Sequence, residues 1–397
     1  MNSLFDQINQ QYDDNLLEGL FKAYFDARKN KRNKYSSLDF EFNFESNLIK
    51  LYKSIKNGTY KPLPSIAFIS TKPVIREVFS ANFRDRVVHH LIFNNINHIF
   101  EKDFIENSYS CRKNKGTLHG ANKIYDFIYE CSNKYTKDSY ILKLDIKGYF
   151  YSINQDRLYS IITNKLNKND HDIPIGYDYI NKLIKEIIYN DATKNVYKFR
   201  DDKNWRILPK DKSLFYTKNN HGLAIGNLTS QLFSNIYMNI FDKYITNTLG
   251  LKYYGRYVDD FILIHNDKEY LKSLIPKIKD FLLLNLGLIL HPKKIYLQHH
   301  TKGVKFLGSY LKPNVKYIDK RTKDAFYKLI EKINVEFPSN KYNKVYVEKI
   351  RAQINSYLGI MIHFSSFKLR KKIICSLDKE FFKFFGVDIK YSKVVLY

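Results

Sequence analysis

The feature that most restricts this chain is a set of carboxylates embedded in apolar, strand-like sequence. Asp145 lies in Tyr140-Ile-Leu-Lys-Leu-Asp-Ile-Lys-Gly-Tyr-Phe150, and Asp259 and Asp260 lie in Tyr253-Tyr-Gly-Arg-Tyr-Val-Asp-Asp-Phe-Ile-Leu-Ile264. Burying a carboxylate is expensive unless it is paired, hydrogen-bonded or bound to a metal. Three such groups converging on one sheet would make a site for two divalent cations, which is what in-line phosphoryl transfer uses. The chain supplies its own controls. Asp13-Asp14 and Asp201-Asp202 are also adjacent pairs, but neither has apolar strand residues on both sides, and both are expected in solvated segments.

Charge narrows the partner. The 397 residues carry 66 Lys and Arg against 40 Asp and Glu, a formal net charge of +26. Such a surplus implies a polyanion, nucleic acid first and an anionic membrane surface second. Together with the buried carboxylates it points to a nucleic-acid polymerase. Hydrophobic residues make up 44% of the chain, enough for a sizeable core, which argues against global disorder. The length suggests two or three packed subdomains. The many Tyr and Phe could stack on unpaired bases, but with abundant Lys, Asn and Ile they also fit an AT-rich genome and carry little weight.

Cys111, Cys131 and Cys375 form no C-x-x-C pair, so neither a disulfide framework nor a structural zinc site is expected, and a reducing cytoplasm fits. His89-His90 and His299-His300 have no carboxylate or thiol at metal-ligand spacing and read as structural or nucleic-acid-facing. There is no basic segment leading into an apolar run at the N-terminus and no long apolar stretch, so neither a signal peptide nor a membrane span is expected.

Along the chain, residues 1 to about 58 read as helical, with Leu16, Leu20, Phe21, Tyr24 and Phe25 as an apolar stripe. The basic run Arg28 to Lys34 reads equally as a solvated linker or a backbone contact. A Pro-punctuated stretch (Pro62, Pro64, Pro73) with strand-like alternation leads into a helix at Asp85–Phe93. Further helices are expected over 116–131, with Cys131 in phase with Ala121, Ile124 and Ile128, over most of 155–190, over 268–286, and from about 320 onward, where the pattern is basic. A strand covers Ile141–Ile146. Residues 191–221 read as an irregular connection. A helix from about Thr229 to Thr248, with Leu232, Ile236 and Ile240 on one side, is stopped by Gly250. Strands flank Asp259-Asp260, suggesting a hairpin with the carboxylates at its tip. Ile295–Leu297 and Val304–Tyr310 read as short strands.

Nucleotidyl transfer leaves the protein little covalent chemistry; it positions and neutralises. Hard oxygen ligands suit Mg2+. Asp145 and Asp259 are the candidate bridging ligands, and strand alternation aims the adjacent Asp260 partly away, as a supporting ligand.

Seven blocks then fall in the order found in bacterial reverse transcriptases, which the chain resembles over roughly residues 60 to 375. Arg76-Glu-Val-Phe-Ser-Ala-Asn-Phe-Arg-Asp-Arg86 and Ser108-Tyr-Ser-Cys-Arg-Lys-Asn-Lys-Gly-Thr117 resemble the two fingers blocks. Asp145 and its neighbours match motif A, Gly222-Leu-Ala-Ile-Gly-Asn-Leu-Thr-Ser-Gln231 motif B, and Tyr257-Val-Asp-Asp260 motif C. His291-Pro-Lys-Lys294 resembles motif D, and Lys305-Phe-Leu-Gly308 the primer-grip block.

The resemblance implies an α+β right-hand polymerase fold: an N-terminal helical extension (1–58), fingers (59–140), a palm with an antiparallel sheet (141–312, with an insertion at 155–221) and a helical thumb (313–397). It implies two Mg2+ ions, or Mn2+, held by Asp145, Asp259, Asp260 and the backbone at Ile146. Phe150 stands where the family carries its sugar gate; the alternative is a core ring. Arg76, assisted by Lys72, matches the group that reaches the triphosphate. Lys294 matches a proton donor to pyrophosphate, against the alternative of a surface lysine. Ile225, Gly226 and Gln231 would line the nucleotide site, and Arg84, Lys113, Lys115, Tyr257 and Gly308 would meet nucleic acid. A basic face at Lys368 to Lys372 would grip the exiting duplex without reading bases.

Motif B departs from the common Gln-Gly-x-x-x-Ser-Pro. Ile225 and Gln231 resemble reverse transcriptases of diversity-generating retroelements and related phage-defence enzymes. The expected partners are a structured non-coding RNA template, a DNA or RNA primer, deoxynucleotides, and an accessory protein or second polymerase subunit, with no membrane. Three functions stay open: templated RNA-directed DNA synthesis, untemplated or protein-primed DNA synthesis, and a non-catalytic RNA-binding scaffold, which the intact acidic set disfavours.

Overall fold

A computed structural model describes residues 4–72, 74–194, 196–199 and 202–397; Pro73 and Asp201 lie outside them. The N-terminal apolar stripe forms α1 (Leu4–Arg28), followed by α2 (Tyr35–Phe42) and α3 (Phe44–Lys56). Leu16, Leu20 and Tyr24 are buried, while Phe25 faces out. The basic run makes the turn into α2, with Arg28 Nε donating to Glu41 at 2.9 Å. Asp13, expected in solvent, is instead buried on α1, 2.6 Å from Lys56 Nζ and accepting from the Tyr179 hydroxyl. The pair sits on a helix, which turns one member inward.

β1 (Ser65–Ser70) and β2 (Arg76–Ser80) pair antiparallel. The Asn82 side chain accepts from Arg84 N and caps α4 (Phe83–Glu101). α5 (Thr117–Cys131) buries Ala121, Ile124, Ile128 and Cys131 as its periodicity requires. β3 (Tyr140–Asp145) turns through Gly148, at φ 56°, into α6 (Tyr149–Ser152); α7 (Gln155–Leu166) and α8 (Tyr177–Ile188) follow. The 191–221 connection is less irregular than expected. It holds β4 (Val196–Lys198), which pairs parallel to β1, and α9 (Asp202–Ile207). A three-residue strand completed by a distant edge leaves no periodicity to read.

α10 (Leu228–Lys243) runs on through a π-turn to Thr248, and Gly250 (φ 66°) ends it. Ile240, expected inward with Leu232 and Ile236, is 37% exposed. β5 (Tyr253–Tyr257) and β6 (Asp260–His265) flank the acidic pair, and α11 (Lys268–Phe281) follows. Then come β7 (Tyr296–His299), β8 (Val304–Phe306), β9 (Ser309–Lys312) and β10 (Val315–Ile318). The single strand expected over 304–310 is broken because Leu307 (φ 49°) and Gly308 (φ 77°) turn the chain. α12 (Lys320–Asn340), α13 (Lys344–Met361) and α14 (Phe367–Ile374) confirm the C-terminal helices, but a hairpin of β11 (Phe385–Val387) and β12 (Val394–Leu396) was not foreseen. Arg370, inside the expected basic face, is turned inward, donating to Tyr391 O at 2.9 Å. Lys368, Lys371 and Lys372 remain exposed.

The chain forms two compact units. The first comprises Met1–Lys113, Leu144–Phe261 and Ser273–Ile295 and contains the sheet β2-β1-β4. The second comprises Asn114–Lys143, Ile262–Lys272 and Tyr296–Tyr397, with the sheet β10-β9-β8 and a core that includes Phe326, Ile330, Ile354, Leu358 and Phe381. The chain passes from one unit to the other within β3 and within β6. Asp145, Asp259 and Asp260 all belong to the first unit. The α+β class expected from the sequence holds. Among the described residues no helix is long and apolar enough to cross a membrane.

Candidate active site

Asp145 ends β3, and Asp259 sits in the turn between β5 and β6 with Asp260 opening β6. Three backbone hydrogen bonds assemble the site. Ile146 N donates to Asp259 O at 3.2 Å, His291 N to Asp145 O at 2.8 Å, and Lys147 N to Ile289 O at 2.9 Å. They hold the Asp259 turn and the His291–Lys294 segment at the end of β3. Lys294 Nζ then lies 2.9 Å from both carboxylate oxygens of Asp145. The residues read as motifs A, C and D therefore meet, although they are spread over 150 positions of sequence.

The electrostatics follow. Asp259 is pushed up from 3.8 to about 6, chiefly by burial, then by repulsion from Asp145 and Asp260, with Lys294 working the other way. A buried carboxylate repelled by neighbouring carboxylates does not ionise cheaply without a cation. The ammonium of Lys294 fills that role at Asp145. By donor type and charge, Asp145 and Asp259 fit a hard divalent ion. Among the described residues no three acidic, histidine or cysteine side chains form a cation-holding cluster.

Two backbone hydrogen bonds hold the segment that carries Ile225 and Gly226. Phe150, half-buried on α6, accepts from Leu223 N at 2.8 Å through its carbonyl, and Phe79 N donates to Ile225 O at 2.7 Å. The loop 222–227 is thus held between α6 and β2. Gly226, at φ 122°, would place a Cβ 2.4 Å from Phe79 O, so its close approach is to the strand β2 itself. Arg76 begins β2 and is exposed, as are Lys72 and Gln231. Tyr257, at the end of β5, is raised by burial, with Arg76 among the charges acting on it.

The Arg84 guanidinium is engaged within the protein, with Asp85 Oδ1 at 2.9 Å, the Lys61 carbonyl and the Tyr60 ring. Lys113 is exposed and belongs to the first unit, while Lys115 and Gly308 belong to the second. The histidine pairs are structural at their buried members. His89 bonds Thr229 Oγ1 at 2.8 Å and is pushed down to about 3 by burial. His300 is also buried, beside Ser139.

Residues 72–311 match the family described as reverse transcriptase (RNA-dependent DNA polymerase). The chain belongs to the reverse transcriptase family. The match spans every acidic and nucleotide-side residue named above and supports the right-hand polymerase fold; α1 to α3 and α12 to α14 lie outside it. The chain is also 23% identical over 305 residues to the "Putative COX1/OXI3 intron 2 protein" of Saccharomyces cerevisiae, covering 66% of this chain and 34% of that one. It thus spans about a third of that relative's length. Among solved structures it resembles apo telomerase from Candida tropicalis (TM-score 0.48, 14% identity, 80% of this chain and 60% of that one). It also resembles telomerase from Candida albicans in complex with a fragment of telomeric RNA (TM-score 0.47, 12% identity, 86% and 62%).

Two residues escaped the motif reading: Arg256, on β5, and Asp242, on α10, both fully buried. The rule that drew attention to Asp145, that a charge in an apolar strand needs a partner, would have found Arg256 as well.

Proposed function

We propose that this chain is an RNA-directed DNA polymerase. The observation that carries the reading is the meeting of Asp145, Asp259 and Lys294 in one unit of a chain that belongs to the reverse transcriptase family. Asp145 and Asp259, with the Ile146 carbonyl and Asp260 in support, would hold two Mg2+ or Mn2+ ions, which supply activation of the primer hydroxyl and charge neutralisation at the triphosphate. Arg76, assisted by Lys72, binds the triphosphate oxygens through its planar fork. The Phe150 ring excludes a ribose 2′-hydroxyl. Ile225, Gly226 and Gln231 shape the pocket around the base and sugar. Lys294 gives a proton to the departing pyrophosphate oxygen. Tyr257, Lys113, Lys115 and Gly308 lie along the primer and template, and residues 59–140, 141–312 and 313–397 act as fingers, palm and thumb.

The finer reading is that the template is a structured non-coding RNA of a bacterial retroelement or anti-phage system, with a DNA or RNA primer and an accessory protein or second polymerase subunit. Ile225 and Gln231 support it. An isoleucine where a glutamine is common removes a polar contact near the templating base, so Ile225→Gln should lower misincorporation opposite adenine; an unchanged error spectrum rejects this.

The test of the main reading is incubation of the purified protein with its RNA, Mg2+ and each deoxynucleotide, followed by sequencing of the product. A copy of the RNA supports it. A simple repeat would indicate untemplated synthesis, and no product with intact RNA binding would indicate a scaffold.

A further inference from the structure

Arg256 and Asp242 form a buried ion pair that the chemistry above does not use. Arg256 is 1% exposed and Asp242 0%. Nε donates to Oδ1 at 2.7 Å and Nη2 to Oδ2 at 2.6 Å, a bidentate arrangement. The Tyr254 hydroxyl, two residues back on β5, donates to the same Oδ1 at 2.7 Å. The remaining nitrogen, Nη1, donates to the carbonyl of Val258 at 2.9 Å. The strand around Arg256 is itself pinned, since Arg256 N donates to Asn107 O and Tyr109 N to Arg256 O, both at 2.9 Å.

So deep an ion pair is a poor source of stability, because desolvation cancels much of the attraction and apolar residues of similar volume often serve as well. What it supplies, and apolar packing could not, is a directed donor at Val258 O. Val258 needs one. Its φ is 57°, a left-handed conformation that a β-branched residue adopts only under constraint. The next residue is Asp259. Its peptide is bracketed: Arg256 holds the carbonyl before it, and Ile146 N holds its own carbonyl at 3.2 Å. With both carbonyls tied, the Asp259 side chain leaves the backbone in a fixed direction, toward Asp145.

We propose that Arg256 is a positioning residue: anchored on Asp242, it clamps the Val258 carbonyl, keeps the turn left-handed, and so fixes Asp259 beside Asp145. The inference rests on the polymerase reading for its kinetic readout only. Lysine at 256 keeps a charge for Asp242, but its single ammonium cannot make the fork and reach Val258 together. Glycine at 258 adopts a positive φ without strain and lessens the need for the clamp.

Arg256→Lys, Val258→Gly and the double variant are compared by thermal melting, Mn2+ binding without nucleic acid, and primer extension. Arg256→Lys should bind Mn2+ about tenfold more weakly. Its kcat should fall ~10- to ~100-fold with KM for deoxynucleotide within about twofold, and Val258→Gly should recover part of both losses. A folded Arg256→Lys protein with wild-type kcat and Mn2+ affinity overturns the inference. So does a loss that Val258→Gly leaves untouched, as general packing would give. Should Arg256→Lys melt below the assay temperature, the charge-free pair Arg256→Met with Asp242→Leu replaces it: weakened Mn2+ binding in that folded protein supports the clamp, and wild-type binding overturns it. If the wild type makes no DNA while Arg256→Lys still weakens Mn2+ binding, the polymerase reading fails and the positioning role stands.

Discussion

Replacing Asp259 by asparagine should stabilise the metal-free protein while abolishing DNA synthesis. Asp259 is raised from 3.8 to about 6 by burial first and by Asp145 and Asp260 second. Between those values the folded chain keeps a proton that the unfolded chain has released. Stability conferred by that proton is present below about pH 4 and is lost as pH rises through about 6. Two pKa units at ~1.4 kcal/mol each give a penalty of ~3 kcal/mol above about pH 7. Asp259 keeps some contact with water, so ~1–3 kcal/mol is the working range. Asparagine has nearly the same shape and no charge, so the variant escapes the penalty. The assay is urea unfolding of both proteins in chelator across about pH 4 to 8. The two should be equally stable at the acid end and separate through pH 6, with the variant ahead. Added Mg2+ should then raise only the wild type, since a ligand stabilises the state that binds it. A variant no more stable than wild type at about pH 8, or an advantage that does not change with pH, would refute the electrostatic account of the site.

Lys294→Met removes the ammonium that contacts both oxygens of Asp145 at 2.9 Å; single-turnover synthesis should fall ~100-fold with nucleotide affinity little changed, and an undiminished rate would exclude Lys294 from proton transfer. Gly226→Ala would press a Cβ to 2.4 Å from Phe79 O at φ 122°. It should cost at least ~1–3 kcal/mol and raise KM for deoxynucleotide by displacing Ile225; an unchanged melting temperature would contradict the close approach. Phe150→Val should raise the kcat/KM for ribonucleotides relative to deoxynucleotides by ~10-fold or more, whereas a ring serving only as packing would lower stability and leave sugar selectivity alone.

Local chemistry decided which parts of the molecule could be read from sequence. Asp145 and the Asp259-Asp260 pair were legible because a carboxylate in an apolar strand is anomalous within ten residues of itself, and Gly250 marks a helix end whose positive φ is a local property. The long helices were legible by their period, with errors where a helix is covered on only part of its circumference, as at Ile240 and Arg370. β4 and the β11–β12 hairpin were not, since three residues of ladder acquire meaning only from a partner strand.

The harder loss is at the site itself. The dyad Arg256–Asp242 joins residues 14 positions apart on different elements, and each alone looks like an ordinary charged residue beside an aromatic. Asp242 lies in the last turn of an amphipathic helix, where a solvated carboxylate would be unremarkable; in the folded chain it is buried and bonded to Tyr254 and Arg256. The acidic pair at 259–260 drew the eye as the chemistry, yet its geometry is governed three residues earlier, by a cation whose function is to hold a carbonyl. Motifs record groups that touch substrate. The groups that aim them are recorded only as charges whose burial needs an explanation, and a search of apolar strands for both signs of charge, rather than for carboxylates alone, would have brought Arg256 forward together with Asp259.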